Sequence, residues 1–228
     1  MKALFAAATT ATVVGALTGR DRLQYVAKPL IAPALAVAVL RPGDLTTDRK
    51  LLVGGLAAAT VGDVILVAPD DDRRLIAGAS AFGVMQAAYT TILLRHHAQP
   101  TLPAVTPRAV GWLGAAMMLR RKAPRVATPL AAYGVALATT TSLASDPALA
   151  PGAETIGGLV LPNADKRSRL GLGALLFTVS DALIVGRKLF ARNKTQRRIA
   201  EGVILATYAG AQYCLVEGMS ELRLALDA

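Results

Sequence analysis

Apolar stretches of near-constant length, interrupted by short clusters of charge and proline, divide this chain. A helix that crosses a bilayer takes about 20 mostly apolar residues, with about 17 to 25 the usual range. By that measure the pattern predicts eight spans, at approximately 2–19, 23–41, 50–68, 73–94, 104–120, 124–145, 169–190 and 197–218. The separators are "RDR", "RPGDLTTDR", "PDDDRR", "RHHAQPTLPAVTPR", "RRKAP", "SDPALAPGAETIGGLVLPNADKRSR" and "RNKTQRR". The apolar runs are continuous, whereas barrel strands would alternate over about ten residues, so helices are favoured. The predicted fold is all-α, a polytopic transmembrane bundle of about eight helices forming one domain over residues 1–228. There is no internal repeat.

The first run follows Met1-Lys2 and so resembles a signal peptide. No small-x-small cleavage site precedes Arg20, and the expectation is a retained first helix. The long connection at 146–168 carries "GGLVLP", which is expected to form a re-entrant or interfacial piece.

Composition agrees with the bilayer as solvent: 54% of residues are hydrophobic and the mean hydropathy is +0.46, too apolar for an ordinary soluble domain. Abundant alanine and glycine, with only 4% aromatics, point to helices that approach closely through small faces. The net charge of +10 would suggest nucleic acid in a soluble protein. Here the basic residues cluster between apolar runs instead of lining one amphipathic face, so they read as membrane-flanking loops and exclude that partner. Of the 25 lysines and arginines, 15 fall in the odd-numbered loops and 10 on the other side. The positive-inside rule then puts the odd loops in the cytoplasm and both termini outside. Cys214 is the only cysteine, which rules out an intrachain disulfide and a cysteine metal site and leaves a packing role. His96 and His97 are adjacent, without the i, i+4 spacing of a helical metal pair, and no metal or cofactor is expected.

Three ionisable residues interrupt the apolar runs: Lys28, Asp63 and Asp181. A charge in hydrocarbon costs several kcal/mol, roughly, so such groups pair, line a cavity or do chemistry. Counted from the odd-loop side, each lies five to nine residues into its span, roughly 8 to 13 Å deep at 1.5 Å per residue. Lys28 would fasten the bundle by pairing with one aspartate, or snorkel to the interface. A second carboxylate, however, suggests an acid/base arrangement, one ionised and one protonated. Polar groups on other spans face the same bundle: Gln86 and Tyr89, three apart; Tyr133; Ser180; and Tyr208 and Gln212, four apart. Taken singly, each is a helix-to-helix hydrogen bond; Ser180 lacks a histidine in a plausible position, so a serine triad is disfavoured.

Several short motifs occur in order: "KPL" at 28–30, "GDVIL" at 62–66, "FGVMQAAY" at 82–89, "YG" at 133–134, "GALLFTVSDALI" at 173–184 and "YAGAQYCL" at 208–215. Together they resemble the YhhN-like lysoplasmalogenase family of integral membrane proteins. Two positions depart from that pattern: a histidine is expected where Gln86 stands, and a methionine in the sixth span where Thr139, Thr140 and Thr141 follow. Glutamine cannot act as a proton-donating acid. The resemblance implies hydrolysis of the vinyl ether bond of a lysoplasmalogen to a fatty aldehyde and a glycerophospho-alcohol. Asp63 and Asp181 would be catalytic, and Lys28, Gln86, Tyr89, Tyr133, Ser180, Tyr208 and Gln212 would bind substrate. The expected partners are the lysophospholipid and membrane lipids, the phosphate lying among the basic residues at the odd-loop surface. The expected location is a bacterial plasma membrane. Other classes that fit the same residues are a small proton-coupled transporter and a non-catalytic lipid-binding protein. The absence of an evident repeat pair with broken helices weighs against the transporter.

Overall fold

The computed structural model describes residues 2–40, 46–67 and 71–224, with side chains to Leu222 on the last helix. Residues 41–45 of the predicted separator "RPGDLTTDR", Pro69 and Asp70 of "PDDDRR" and the side chain of Arg223 lie outside the described residues. The chain is helical almost throughout: α1 Lys2–Thr18, α2 Asp21–Ala27, α3 Ile31–Val39, α4 Thr47–Ile65, α5 Asp72–Arg95, α6 Leu102–Lys122, α7 Pro124–Leu143, α8 Arg169–Phe190 and α9 Lys194–Leu224. The all-α bundle expected from the apolar pattern is therefore present. Among the described residues four helical segments are long and apolar enough to cross a membrane: Asp72–Arg95, Pro124–Leu143, Lys166–Phe190 and Lys194–Leu222.

The helix ends follow local chemistry. Asp71 caps α5, its carboxylate accepting from the Arg73 and Arg74 amides at 2.7 and 3.3 Å, and Thr46 caps α4 through Arg49. Pro124 stops α6 after a single linking residue, Ala123. The eighth predicted span starts earlier than hydropathy suggests. Asn193 accepts from the Gln196 amide at 2.8 Å, and Gln196 Oε1 accepts in return from the Arg192 amide at 2.9 Å. This variant of a capping box draws the basic run "KTQRR" into the first turns of α9.

The second predicted span is not one helix. A 3₁₀ turn at Lys28–Leu30 separates α2 from α3, because Pro29 and Pro33 carry no amide hydrogen to continue the α-helical ladder. The break brings Lys28 inside the bundle, where it is buried.

Consecutive helices pair antiparallel. Asp48 at the start of α4 meets Arg95 at the end of α5, Trp112 of α6 meets Ala131 of α7, and Arg169 at the start of α8 meets Glu217 of α9. One end of the bundle therefore holds the short turns and the other the longer loops. At the long-loop end the His96 side chain, 5% exposed, binds Asp48 at 2.8 Å. The 144–168 connection lies against the long-loop end of the bundle, and within it Thr155–Ile156 and Leu159–Val160 form a two-stranded hairpin. Its turn is Gly157-Gly158, both with positive φ (57° and 81°), as a two-residue hairpin demands. Val160 packs on Gly171 of α8 and Gly158 on Pro103 of α6. In this loop the Arg167 side chain beside Asp165 holds its carboxyl below the usual range.

The core is built on small-residue contacts, as composition implied. Gly62 of α4 faces the Phe82 ring so closely that an added methyl would lie 2.7 Å from it. Outward, α4 to α8 expose Val61, Val84, Leu94, Val110, Leu113, Met117, Val135 and Val179, an apolar perimeter suited to lipid. Gly62→Ala is expected to destabilise the protein by about 1–3 kcal/mol through overpacking. Gly54→Ala, where a methyl meets open space, should be neutral or stabilising by at most about 1 kcal/mol. Paired thermal melts in an uncharged detergent check both.

Candidate active site

A cavity of about 340 Å³ lies between α6, α7 and α8 on one side and α4, α5 and α9 on the other. Lys28, Asp63, Tyr133, Ser180, Asp181 and Tyr208 all line it. These come from five sequence-distant segments, and among them the fold gathers the three charged residues that the apolar pattern could only place at similar depth. Gln86, Tyr89 and Gln212 are buried but stand behind the wall.

Asp63 occupies the last turn of α4 and is 1% exposed. That position is electrostatically adverse, because the C-terminal end of a helix carries partial negative charge on its unpaired carbonyls. The broken second helix supplies the remedy. The Lys28 ammonium donates to the carbonyl of Leu66, the residue capping α4, at 3.0 Å. Lys28 has no carboxylate within 4 Å among the described residues, so the direct ion pair considered from sequence is replaced by a helix-end contact. Its charge still acts on Asp63 through space.

A polar chain runs inward from Asp63. Tyr208 donates to its Oδ2 at 2.8 Å, the Gln212 amide donates to Tyr208 Oη at 3.3 Å, and Tyr89 donates to Gln212 Oε1 at 2.9 Å. The three side chains named on α5 and α9 thus support one carboxylate. Tyr208 is also fixed edge-on against Phe82 and Phe177, with ring centroids 5.6 and 5.9 Å away. Neither phenylalanine was singled out in the sequence, although both sit in the motifs that surround the polar residues.

Asp181 is placed differently. Tyr133 donates to its Oδ2 at 2.5 Å, no charged side chain pairs with it among the described residues, and it is half-buried, lining the cavity. Gln86 lies beside Tyr133, yet neither atom of its buried amide has a hydrogen-bond partner. Ser180 donates to the Ile204 carbonyl at 3.1 Å, a tie between α8 and α9 that leaves its oxygen committed to structure.

The α6 wall presents Pro107, Arg108, Gly111, Trp112, Ala115, Ala116 and Leu119, one face at helical spacing. Arg108 was counted from sequence among the loop charges. With Pro103 among the first residues of α6, a signature of helix starts, Arg108 lies nearly two turns inside the helix.

The fold and site define a helical membrane protein with two carboxylates facing an internal apolar cavity. The YhhN family model matches residues 23–219. The chain belongs to that family, the lysoplasmalogenase family. Searches of curated proteins and of solved structures each returned no match.

Tyr208→Phe removes a charge-assisted hydrogen bond from buried Asp63 and should cost about 1–3 kcal/mol. Tyr25→Phe, at a site 52% exposed, should leave the melting temperature within error.

Proposed function

We propose that this protein is a multi-pass membrane hydrolase that cleaves the vinyl ether bond of lysoplasmalogens by acid/base catalysis. The observation that carries the reading is that two carboxylates in unlike surroundings share one apolar cavity; family membership supplies the substrate class. Asp63, with the Lys28 charge and the Tyr208 hydroxyl beside it, suits the carboxylate role. Asp181, without a cationic neighbour and open to the cavity, suits the proton donor.

The steps balance with these two groups and one water. Asp181 delivers its proton to the outer alkene carbon, leaving an oxocarbenium ion that the Asp63 carboxylate stabilises. Water adds to the cationic carbon and gives a proton to Asp63, forming a hemiacetal. The hemiacetal hydroxyl returns a proton to Asp181 as the carbon-oxygen bond breaks, and Asp63 protonates the departing glycerol oxygen. Both carboxyls regain their starting states. A lipid filling the mostly apolar cavity would displace water that otherwise screens the stabilising charge.

The broken helix at Lys28 keeps a proton-coupled transporter in view, since interrupted helices build such sites. The two readings separate experimentally: a hydrolase works in detergent, whereas a transporter needs a sealed bilayer.

Purified protein in detergent is expected to release aldehyde from a lysoplasmalogen and nothing from the corresponding acyl lysophospholipid. Asp63→Asn and Asp181→Asn should each lower the rate at least about 100-fold, the scale of one general acid or base. Well-folded wild type that yields no aldehyde across pH and head groups overturns the proposal. Gly111 lines the cavity with no atom within 4 Å of an added methyl. Gly111→Leu should therefore fold normally and lose most turnover by filling the substrate space, read from melting temperature and aldehyde release together.

A further inference from the structure

Arg108 is a cation in the cavity wall with unused hydrogen-bonding capacity. Its Nε donates to Thr141 at 3.0 Å, one terminal nitrogen to the Ala104 carbonyl at 2.6 Å, and the other to Ser145 at 2.8 Å. All three acceptors are neutral, and no carboxylate pairs with Arg108 among the described residues. A guanidinium has five N–H groups in a planar fork, so two remain, one on each terminal nitrogen. An arginine within a helical bundle, rigidly held yet without an acid, has the form of an anion receptor: it binds phosphate bidentately, and the anion offsets the cost of keeping its charge from water.

Its position along the cavity sets the spacing. Arg108 is anchored to Thr141 of α7, and Asp181 to Tyr133 of the same helix. Eight residues of helix separate these anchors by about 12 Å. In a glycerol-based lysolipid, seven bonds join the outer alkene carbon to phosphorus, about 9 Å when extended, and one hydrogen bond to the phosphate adds about 3 Å. The remainder of the cavity, towards the short turns, offers Leu66, Leu75, Leu119, Leu130, Ile184 and Val185, an apolar run for a single hydrocarbon chain.

We infer that Arg108 is the phosphate-binding residue of the cavity, selecting single-chain amphiphiles whose phosphorus lies about 9 Å from the carbon that Asp181 protonates, with the head group at the long-loop end. This reverses the placement expected from loop charge, which put the phosphate at the odd-loop surface near Lys28. The inference rests on the proposed vinyl ether hydrolase for the position of the reacting bond. The binding of a phosphate amphiphile can be tested without turnover.

The test uses full-length protein in an uncharged detergent and two saturated probes that cannot be cleaved: a hexadecyl glyceryl ether bearing a phosphate and the same ether with a free hydroxyl. Affinities are read by titration against intrinsic fluorescence or melting temperature. Wild type should prefer the phosphate compound by about 10- to 100-fold, the worth of charged hydrogen bonds. Arg108→Gln should abolish that preference while leaving the hydroxyl compound within about threefold. Arg108→Lys should keep part of it, as a point charge without the fork. Inorganic phosphate at millimolar concentration should not compete, which separates a lipid head group from a free anion. If Arg108→Gln fails to fold, the wild-type preference and its partial retention in Arg108→Lys decide. Equal binding of both ethers by wild type, an unchanged preference in Arg108→Gln, or displacement by inorganic phosphate each overturns the inference. Arg108-dependent binding in protein that releases no aldehyde refutes the reaction and leaves this subsite standing; aldehyde release with no phosphate preference does the converse.

Discussion

The organisation of the site depends on one contact, the Lys28 ammonium on the terminal carbonyl of α4. A carboxylate in the last turn of a buried helix faces two penalties, desolvation and the negative end of the helix dipole. Lys28 offsets both, neutralising the helix end directly and acting on Asp63 through space. It reaches that position only because Pro29 and Pro33 interrupt the second helix. The local irregularity of α2 and α3 is thus the condition for an otherwise regular bundle to hold Asp63.

From Asp63 the constraints propagate outward through packing. Gly62 lets Phe82 approach α4, and Phe82 with Phe177 fixes Tyr208, which donates to Asp63 and is joined through Gln212 to Tyr89. Each polar member of that chain, from Asp63 to Tyr89, has a hydrogen-bond partner. The opposite side is looser. Only Ala104 and Leu119 of α6 are fully buried, small residues form much of its cavity face, and among the described residues Asp181 is held by the Tyr133 hydroxyl. The asymmetry fits the proposed division of labour, in which Asp63 starts as the charge that stabilises the cation and Asp181 starts as the proton donor to the arriving substrate.

Much of this was legible in the sequence, for identifiable reasons. Continuous apolar runs marked the helices because their length and punctuation are imposed by the surroundings. Lys28, Asp63 and Asp181 stood out because charge is rare in such runs. Boundaries were misjudged where capping outweighs hydropathy, as in the basic first turns of α9. The break at Lys28 was concealed because hydropathy does not register the loss of an amide hydrogen, although two prolines four residues apart carried that information. Arg108 was taken for a loop charge since it follows Pro107, a residue the helix accommodates. The Gly157-Gly158 hairpin was visible as a turn dipeptide within "TIGGLV", although the segment was read as a re-entrant or interfacial piece. Which polar residue touches which carboxylate was not legible, because it depends on helix rotation and crossing.

The central claim is that the cavity protonates a carbon of a vinyl ether. Turnover of a lysoplasmalogen by detergent-purified protein in deuterium oxide, with mass analysis of the aldehyde, tests it most directly. The account predicts one deuterium on the carbon adjacent to the carbonyl, and loss of that product in Asp181→Asn. Aldehyde formed without deuterium at that carbon, or formed undiminished by the Asp181→Asn variant, would contradict it.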